Sequence, residues 1–404
     1  MMKQSSLCWS GLVALALLST LVPRPALADP PAGFQLVWSE EFNAATADLD
    51  KNWDFQNGPS GHILCSRWRE NAVVSNGVCR LLNKKESRGG QEWTSASMST
   101  KRQFKYGYFE CRYKYGAATG LNNSFWLMTR GKERPEAPVR FELDVNEGHF
   151  PNEIATNIHK WSGQHTSKSR AFRLGVQAGH CFQLEIPVET DKLRLVARDR
   201  GRVRVTELRA FAVSPAGYPA LFAAGLMPAN LALHAKATAS SELSGKCSAA
   251  KAVDGGLEAD SRWVSGDETG EHTLTVALAA KQKIGCVHLI SGTKKGAVWS
   301  DPIGDFVLQY WDGRQWAPIA QADSSATKID LSRDFHVYGF EWNEKEMVFY
   351  FDGKELRREP NEFCKGEAPV LLSSAIMKWA GAVTDKIDGT SMDVDWVRVY
   401  QKKP

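Results

Sequence analysis

Short segments rich in aromatic and β-branched residues, several alternating with a period of two, recur along this chain between turn signals. Residues 106–115, 335–342, 347–351 and 392–400 are the clearest of them. Asp352-Gly353 lies between two such segments and suits a hairpin, as expected in a sandwich of antiparallel sheets. No stretch sustains a helical period with caps at both ends. The expected fold class is therefore all-β.

The first 28 residues read as a Sec-type leader: Lys3, an apolar run from Gly11 to Val22, then Ala26-Leu27-Ala28 before Asp29. A cluster of prolines (Pro23, Pro25, Pro30, Pro31) argues against a buried helix there. Cleavage after Ala28 is expected, and with it a secreted or periplasmic protein. No later apolar run approaches the roughly 18 residues needed to cross a bilayer, so no membrane span is expected. The formal charge of +4 falls to +2 when Lys3 and Arg24 leave with the leader. Without a long-range basic field, a nucleic-acid partner is not expected. Seven cysteines remain: Cys65, Cys79, Cys111, Cys181, Cys247, Cys286 and Cys364. None has metal-ligand spacing, so disulfides are their natural use in an oxidising compartment, with at least one thiol left over.

From about residue 171 to 326 the chain becomes rich in Ala, Val and Arg, whereas the flanks are dense in Trp, Tyr and Phe. The flanks read as two halves of one domain, 29–170 and 327–404, interrupted by a second domain at 171–326. Loop tips of sandwiches accept whole domains when the insert's ends lie close together.

Residues 139–150 read VRFELDVNEGHF. On a strand, Glu142 and Asp144 share a face, whereas Glu147 has the opposite parity unless an extra residue is accommodated. A β-bulge at Val145-Asn146 restores it, and bulges are enriched beside active sites. Three carboxylates on one face cannot all ionise freely, so at least one pKa must rise. A neutral acid beside an ionised nucleophile is what a retaining glycosidase needs. A solvated acidic face or a calcium site uses the same residue types. Asn122, Asn123, Trp126, His149, His159 and Trp161 supply nearby platforms and hydrogen-bonding groups suited to a sugar cleft, although a Trp in a sandwich also serves as core.

At this point the sequence resembles glycoside hydrolase family 16, the endo-acting β-glucan and β-galactan hydrolases. The resemblance is carried by LVWSEEFN (36–43), ENAVVSNG (70–77), FKYGYFECRYKY (104–115), GLNNSFWLM (120–128) and the E-x-D-x-x-E motif. DFHVYGFEW (334–342), FYFDG (349–353) and DVDWVRVYQ (393–401) continue it beyond the insert. It implies a concanavalin A-like β-jelly roll with a concave cleft and retention of configuration. Mapped onto the motif, Glu142 is the nucleophile, Glu147 the general acid/base, and Asp144 the helper that orients and tunes Glu142. Many members also hold a structural calcium, for which Glu41, Gly77 and Asp395 stand at the matching positions; the same carboxylates can instead cap turns.

Laminarinase-like members carry Trp-Pro-x-x-Gly before the nucleophile, where this chain has APVRF (137–141). Arg140 has the parity of Glu142 and is expected on the same cleft. Its guanidinium there binds a sulfate or carboxylate of the polymer, or pairs with an acidic neighbour. Asn123, Trp126, His159 and Trp161 complete the expected substrate contacts.

Inside the insert, NLALHAKATASS (230–241), SAAKAVDGGLEADSRWVSG (248–266) and DFVLQYWDGRQWAPIA (305–320) resemble the discoidin, or coagulation factor 5/8 type C, sandwich. The closing strands of that family look like residues 182–212, upstream of the rest. A circularly permuted domain follows, with 215–229 joining the old termini. The alternative is an elaborated hydrolase loop at 171–213 beside a truncated module. Asp254 and Glu207 match residues that share a calcium in that family, so permutation predicts that they are neighbours in space. Trp263, Trp299, Trp311 and Trp316 form either a sugar platform or core, and the insert either binds sugar or lengthens the cleft.

The resulting expectation is a secreted retaining endo-β-glycanase acting on a polysaccharide, with a sulfated galactan as the leading substrate. The alternatives are a β-1,3-glucanase or transglycosylase on the same scaffold, or a non-catalytic carbohydrate-binding protein. No Gly-rich phosphate loop follows a strand, so no organic cofactor is expected, only a structural calcium. A monomer is the favoured state.

Overall fold

The computed structural model describes residues 32–135, 138–199, 201–212, 228–266, 270–296, 298–323 and 329–403. The expected leader and residues 215–227 of the expected joining segment lie outside them.

Two antiparallel sheets face each other across one core. The convex sheet runs Lys354–Pro360, Glu346–Phe351, His336–Trp342, Gly107–Lys114, Ser391–Lys402, Val78–Leu82, Ala72–Ser75, with Phe34–Glu40 also paired to Ser391–Lys402. The concave sheet runs Thr166–Arg173, Glu153–Lys160, Phe141–His149, Leu121–Met128, Val370–Ile376, Ser97–Thr100, Trp53–Phe55. Both sheets use strands from before and after residues 174–335, so the two flanks fold as one jelly roll. Residues of one parity from each strand, among them Phe109, Phe125, Phe141, Trp342 and Val397, fill the space between the sheets. Each buried side chain of this size contributes about 1.5–3 kcal/mol. The other parity of the concave strands is released for a cleft.

The inserted sheet runs Trp263–Val264, Arg204–Phe211, His272–Ser291, Gly179–Ala197, Phe306–Trp311, Trp316–Ala322. Gly179–Ala197 and Arg204–Phe211 thus pair inside the insert's own sheet and not in the jelly roll of the flanks. Its two longest strands carry register breaks at Gln183/Val188 and Thr190/Lys192. Both halves of His272–Ser291 then contribute to one core of Leu274, Val276, Ile284, Val287 and Leu289. The concave sheet's edge strand Thr166–Arg173 runs three residues past the expected boundary at 170. Trp263 is fully buried and donates to Ser241 O (2.9 Å), so it is core and no four-Trp platform exists. Trp311 and Trp316 meet edge to face at 5.5 Å, under the cations of Lys192 and Arg194.

The disulfide expectation is corrected: all seven described cysteines are free thiols. Cys79, Cys111 and Cys364 sit in the jelly-roll core, where burial pushes each thiol up and keeps it protonated. Cys181 and Cys286 approach each other, with their sulfurs 3.2 Å apart.

The convex sheet also buries a carboxyl. Glu110 accepts from Tyr400 Oη (2.8 Å), while its Oε2 has no hydrogen-bond partner. Burial pushes its pKa up from 4.5 to about 7. A raised folded-state pKa gives stability that is complete below the unfolded value and lost as pH rises through about 7. Glu110→Gln is therefore expected to stabilise the protein by on the order of 2 kcal/mol at pH ~8 and by nothing near pH ~4, read as melting midpoints at the two pH values.

Candidate active site

The strand Phe141–His149 is the centre of the cleft. Against Leu121–Met128 its register slips between Asp144 and Asn146, and against Glu153–Lys160 between Asp144 and Glu147. The extra residue is the bulge expected at Val145-Asn146. It turns Glu147 to the face of Glu142 and Asp144, and all three line a cleft of about 870 Å³. Gly148 faces the other way, where a Cβ would lie 2.6 Å from Tyr115 Oη, so only glycine fits between Glu147 and the core. The lining runs from Gln56, beside one edge strand, to Ser169 on the other, so the cleft crosses the whole sheet.

Each carboxyl has a different environment. Trp161 Nε1 donates to Glu142 Oε2 (2.8 Å). Burial raises the Glu142 pKa, opposed by that hydrogen bond and helped by the Glu147 charge. Asp144 is 2% exposed, and burial, then Glu147 and Glu142, push its pKa well up. It therefore keeps its proton and hydrogen-bonds Glu142. Glu147 Oε1 accepts from Asn122 Nδ2 (2.8 Å) and Oε2 from Asn157 Nδ2. Both amide oxygens, Asn122 Oδ1 and Asn157 Oδ1, are buried without partners. A half-turn of either amide offers an acceptor in place of a donor, so the pair suits both the ionised and the protonated Glu147. His159 Nε2 lies 3.3 Å from Asp144 Oδ2, and burial pulls its pKa down to about 4, so the ring is neutral near pH ~7. His165 stacks on Trp161 at 4.1 Å and is 3.0 Å from His159 Nδ1, which fixes both rings as a wall.

Residues 63–183 and 308–398, just over half the chain, match the family model of Glycosyl hydrolases family 16. The chain belongs to that family. Residues 236–338 match the F5/8 type C domain. The two matches overlap at 308–338, and strand pairing divides the overlap: Phe306–Trp311 and Trp316–Ala322 pair within the insert, and His336–Trp342 with the family 16 sheet. Among curated relatives, the Beta-glucanase of Rhodothermus marinus is 27% identical over 191 residues, 44% of this chain and 63% of that protein. The Kappa-carrageenase of Pseudoalteromonas carrageenovora is 30% identical over 161 residues, 33% of this chain and 39% of that protein. The aligned stretch covers less than two thirds of either relative. The solved laminarinase from Rhodothermus marinus matches with a TM-score of 0.49 and 16% identity, covering 92% of this chain and 98% of that one.

Within this family 16 cleft, Trp126, His159 and Trp161 line the wall as expected. Asn123 does not. It is fully buried, accepts from Gly116 N and donates to Gly148 O, because its parity on Leu121–Met128 points to the core. Its neighbour Asn122 takes the cleft position. Arg140 is likewise absent from the lining. Its backbone is tied to Ser162 and Trp161 at the end of the strand.

The guanidinium that does line the cleft is Arg67, which the sequence reading missed. It is 7% exposed, donates to Gln56 Oε1 (3.1 Å), and leaves Nε buried without a partner. Among the described residues no carboxylate forms an ion pair with it within 4.0 Å, and burial pulls its pKa down. His62 beside it is held below its usual value by burial and then by the Arg67 charge. Trp379, 52% exposed and also lining the cleft, was missed as well.

The two expected calcium sets do not fit the ion. Arg398 grips Glu41 with two hydrogen bonds (2.9 and 3.0 Å), and Arg112 pairs with Asp395, so those two carboxylates already have cations and Gly77 adds only a carbonyl. In the insert, Glu207 and Asp254 are indeed neighbours: Gly255 N donates to Glu207 Oε1 (2.7 Å). Glu207 pairs with Arg209 and Asp254 with Lys251 (3.3 Å), so this set too is neutralised by the chain. Among the described residues only Glu142, Asp144 and His159 bring three ligand atoms within 4.8 Å, and they are the catalytic candidates. Chelation with EDTA is expected to leave the melting midpoint unchanged within about 1 °C, against the several degrees that loss of a structural ion produces.

Proposed function

We propose that this cleft hydrolyses internal bonds of a β-linked polysaccharide by double displacement. The observation that carries the reading is the bulged strand, which sets Glu142, Asp144 and Glu147 on the floor of a cleft spanning the sheet. Glu142, ionised and held by Trp161, attacks the anomeric carbon while Glu147 gives its proton to the departing glycosidic oxygen. Asp144, protonated, donates to Glu142 and steadies the attacking oxygen. Glu147 then takes a proton from water, which attacks the same carbon and releases Glu142. Trp161, Trp126 and Trp379 offer faces for sugar rings. The expected secretion accords with a polymeric substrate.

The finer substrate is an anionic polymer, with a sulfated galactan first. Arg67 supports this, since a buried guanidinium without a counter-charge is completed by a sulfate or carboxylate. A β-1,3-glucan is the second reading, supported by curated relatives named as glucanases. Reducing-end release from agarose, porphyran, carrageenans, laminarin and mixed-linkage glucan decides between them, with product anomers followed by NMR. Net retention on one polymer is expected. Inversion would sink the double displacement, and silence on all five polymers would favour a binding protein.

A further inference from the structure

A row of polar side chains crosses the concave sheet beyond Glu147 and ends in the inserted domain. His149 pairs across the strands with Glu153, and Glu153 with Arg173, so sheet register alone sets the row. Glu153 Oε1 lies 2.6 Å from His149 Nδ1 and Oε2 is 2.8 Å from Arg173 Nε. A carboxylate paired with Arg only accepts, so His149 Nδ1 is the donor. Arg173 then pairs with Asp199 of the insert and donates to Pro302 O (3.4 Å). Asp199 is itself fixed by the backbone N–H groups of Gly304 (3.0 Å) and Asp305 (3.2 Å). At the other end, the His149 ring meets Trp379 edge-on, centroids 5.1 Å apart at 83°. His149 is 4% exposed, so it is a support under Trp379 and has no open face for sugar.

We propose that Arg173 is a positioning residue through which the inserted domain holds the Trp379 wall of the cleft. The insert anchors Asp199, Asp199 and Arg173 fix Glu153, Glu153 fixes the tilt of His149, and His149 sets the angle of the exposed indole. Buried charge pairs suit this role: removing one partner leaves the other uncompensated, and the group it held must move. The insert therefore acts on the cleft without touching sugar. Only the kinetic arm of the test below rests on the proposed glycanase activity.

The first arm needs no substrate. In protein labelled with 5-fluorotryptophan, the Trp379 resonance is assigned by its loss in Trp379→Phe. Arg173→Met is expected to shift or broaden it and Arg173→Lys to restore it. A resonance unmoved by Arg173→Met overturns the proposal. If Arg173→Met does not fold, Asp199→Asn gives the same reading from the insert, because Asn Oδ1 keeps the acceptor for Gly304 and Asp305 while the charge is lost. The second arm is a double-mutant cycle on hexasaccharides of agarose and laminarin. Trp379→Ala and Arg173→Met are each expected to raise KM roughly three- to tenfold with kcat within about twofold, and the double variant to be no worse than Trp379→Ala alone. Effects that multiply would show that Arg173 acts elsewhere. If the wild type cleaves neither hexasaccharide, the substrate reading is what has failed, and the resonance still decides the role of Arg173.

Discussion

Glu142→Gln is expected to lower kcat/KM by at least about 10⁴-fold while leaving polymer binding within about threefold. Glutamine keeps the oxygen that accepts from Trp161 Nε1, so the indole and the His159–His165 wall behind it stay in place. What is lost is the nucleophile. The charge that burial and Glu147 oppose, and that the Asp144 proton and the Trp161 N–H support, is absent. Melting is expected to move slightly upward, because a buried ionisable group has been replaced by a neutral one. Reducing-end assays with pull-down on the same polymer separate the two quantities. A variant that retained more than about a tenth of the activity would exclude Glu142 as nucleophile. Glu147→Gln fails in a different way. It is expected to recover most of the first step on aryl glycosides whose leaving group needs no proton, a recovery that Glu142→Gln cannot show.

Why the carboxylates were legible in the sequence and the rest of the cleft was not follows from parity. Within one strand, alternation fixes which residues share a face, so Glu142, Asp144 and the need for a bulge before Glu147 could all be read from twelve consecutive letters. The same rule, applied to Leu121–Met128, separates Asn122, on the cleft face with Trp126, from Asn123, on the core face with Phe125. Arg140 stands one residue before the strand, which begins at Phe141, where alternation no longer fixes the face. Arg67 and Trp379 come from a three-residue strand and a 3₁₀ turn. Segments that short carry no period, and their place in the cleft depends on contacts with residues hundreds of positions away.

The insert shows the same division. Its strands were legible because alternating residues mark them, and the nearness of Glu207 to the Asp254-Gly255 turn could be expected although the two lie far apart in sequence. The cations that neutralise those carboxylates were not, although Arg209 stands only two residues from Glu207 on the same face of a strand. Arg398 likewise stands three residues after Asp395, yet its partner is Glu41, at the far end of the sequence. A ligand set borrowed from a family says which oxygens are present and nothing about which cation already faces them.

Arg67 gives the second large effect, and its two signs are opposed. Arg67→Met is expected to lower kcat/KM on a sulfated polymer by about 10²–10³-fold, the loss usual when one member of a buried charge pair is removed. On the same polymer after chemical desulfation the loss is expected to stay within about fivefold, because only Gln56 and sugar hydroxyls remain to be contacted. Free of ligand, the same variant is expected to be more stable by about 1–3 kcal/mol, since burying a guanidinium whose Nε has no partner costs more than burying a thioether of similar length. A structural arginine behaves in the reverse way, losing stability on substitution and affecting both polymers alike. Paired measurements of melting midpoint and kcat/KM on sulfated and desulfated carrageenan therefore separate the two roles. Equal losses on both polymers, together with a lower midpoint, would assign Arg67 to the scaffold and remove the main support for an anionic substrate.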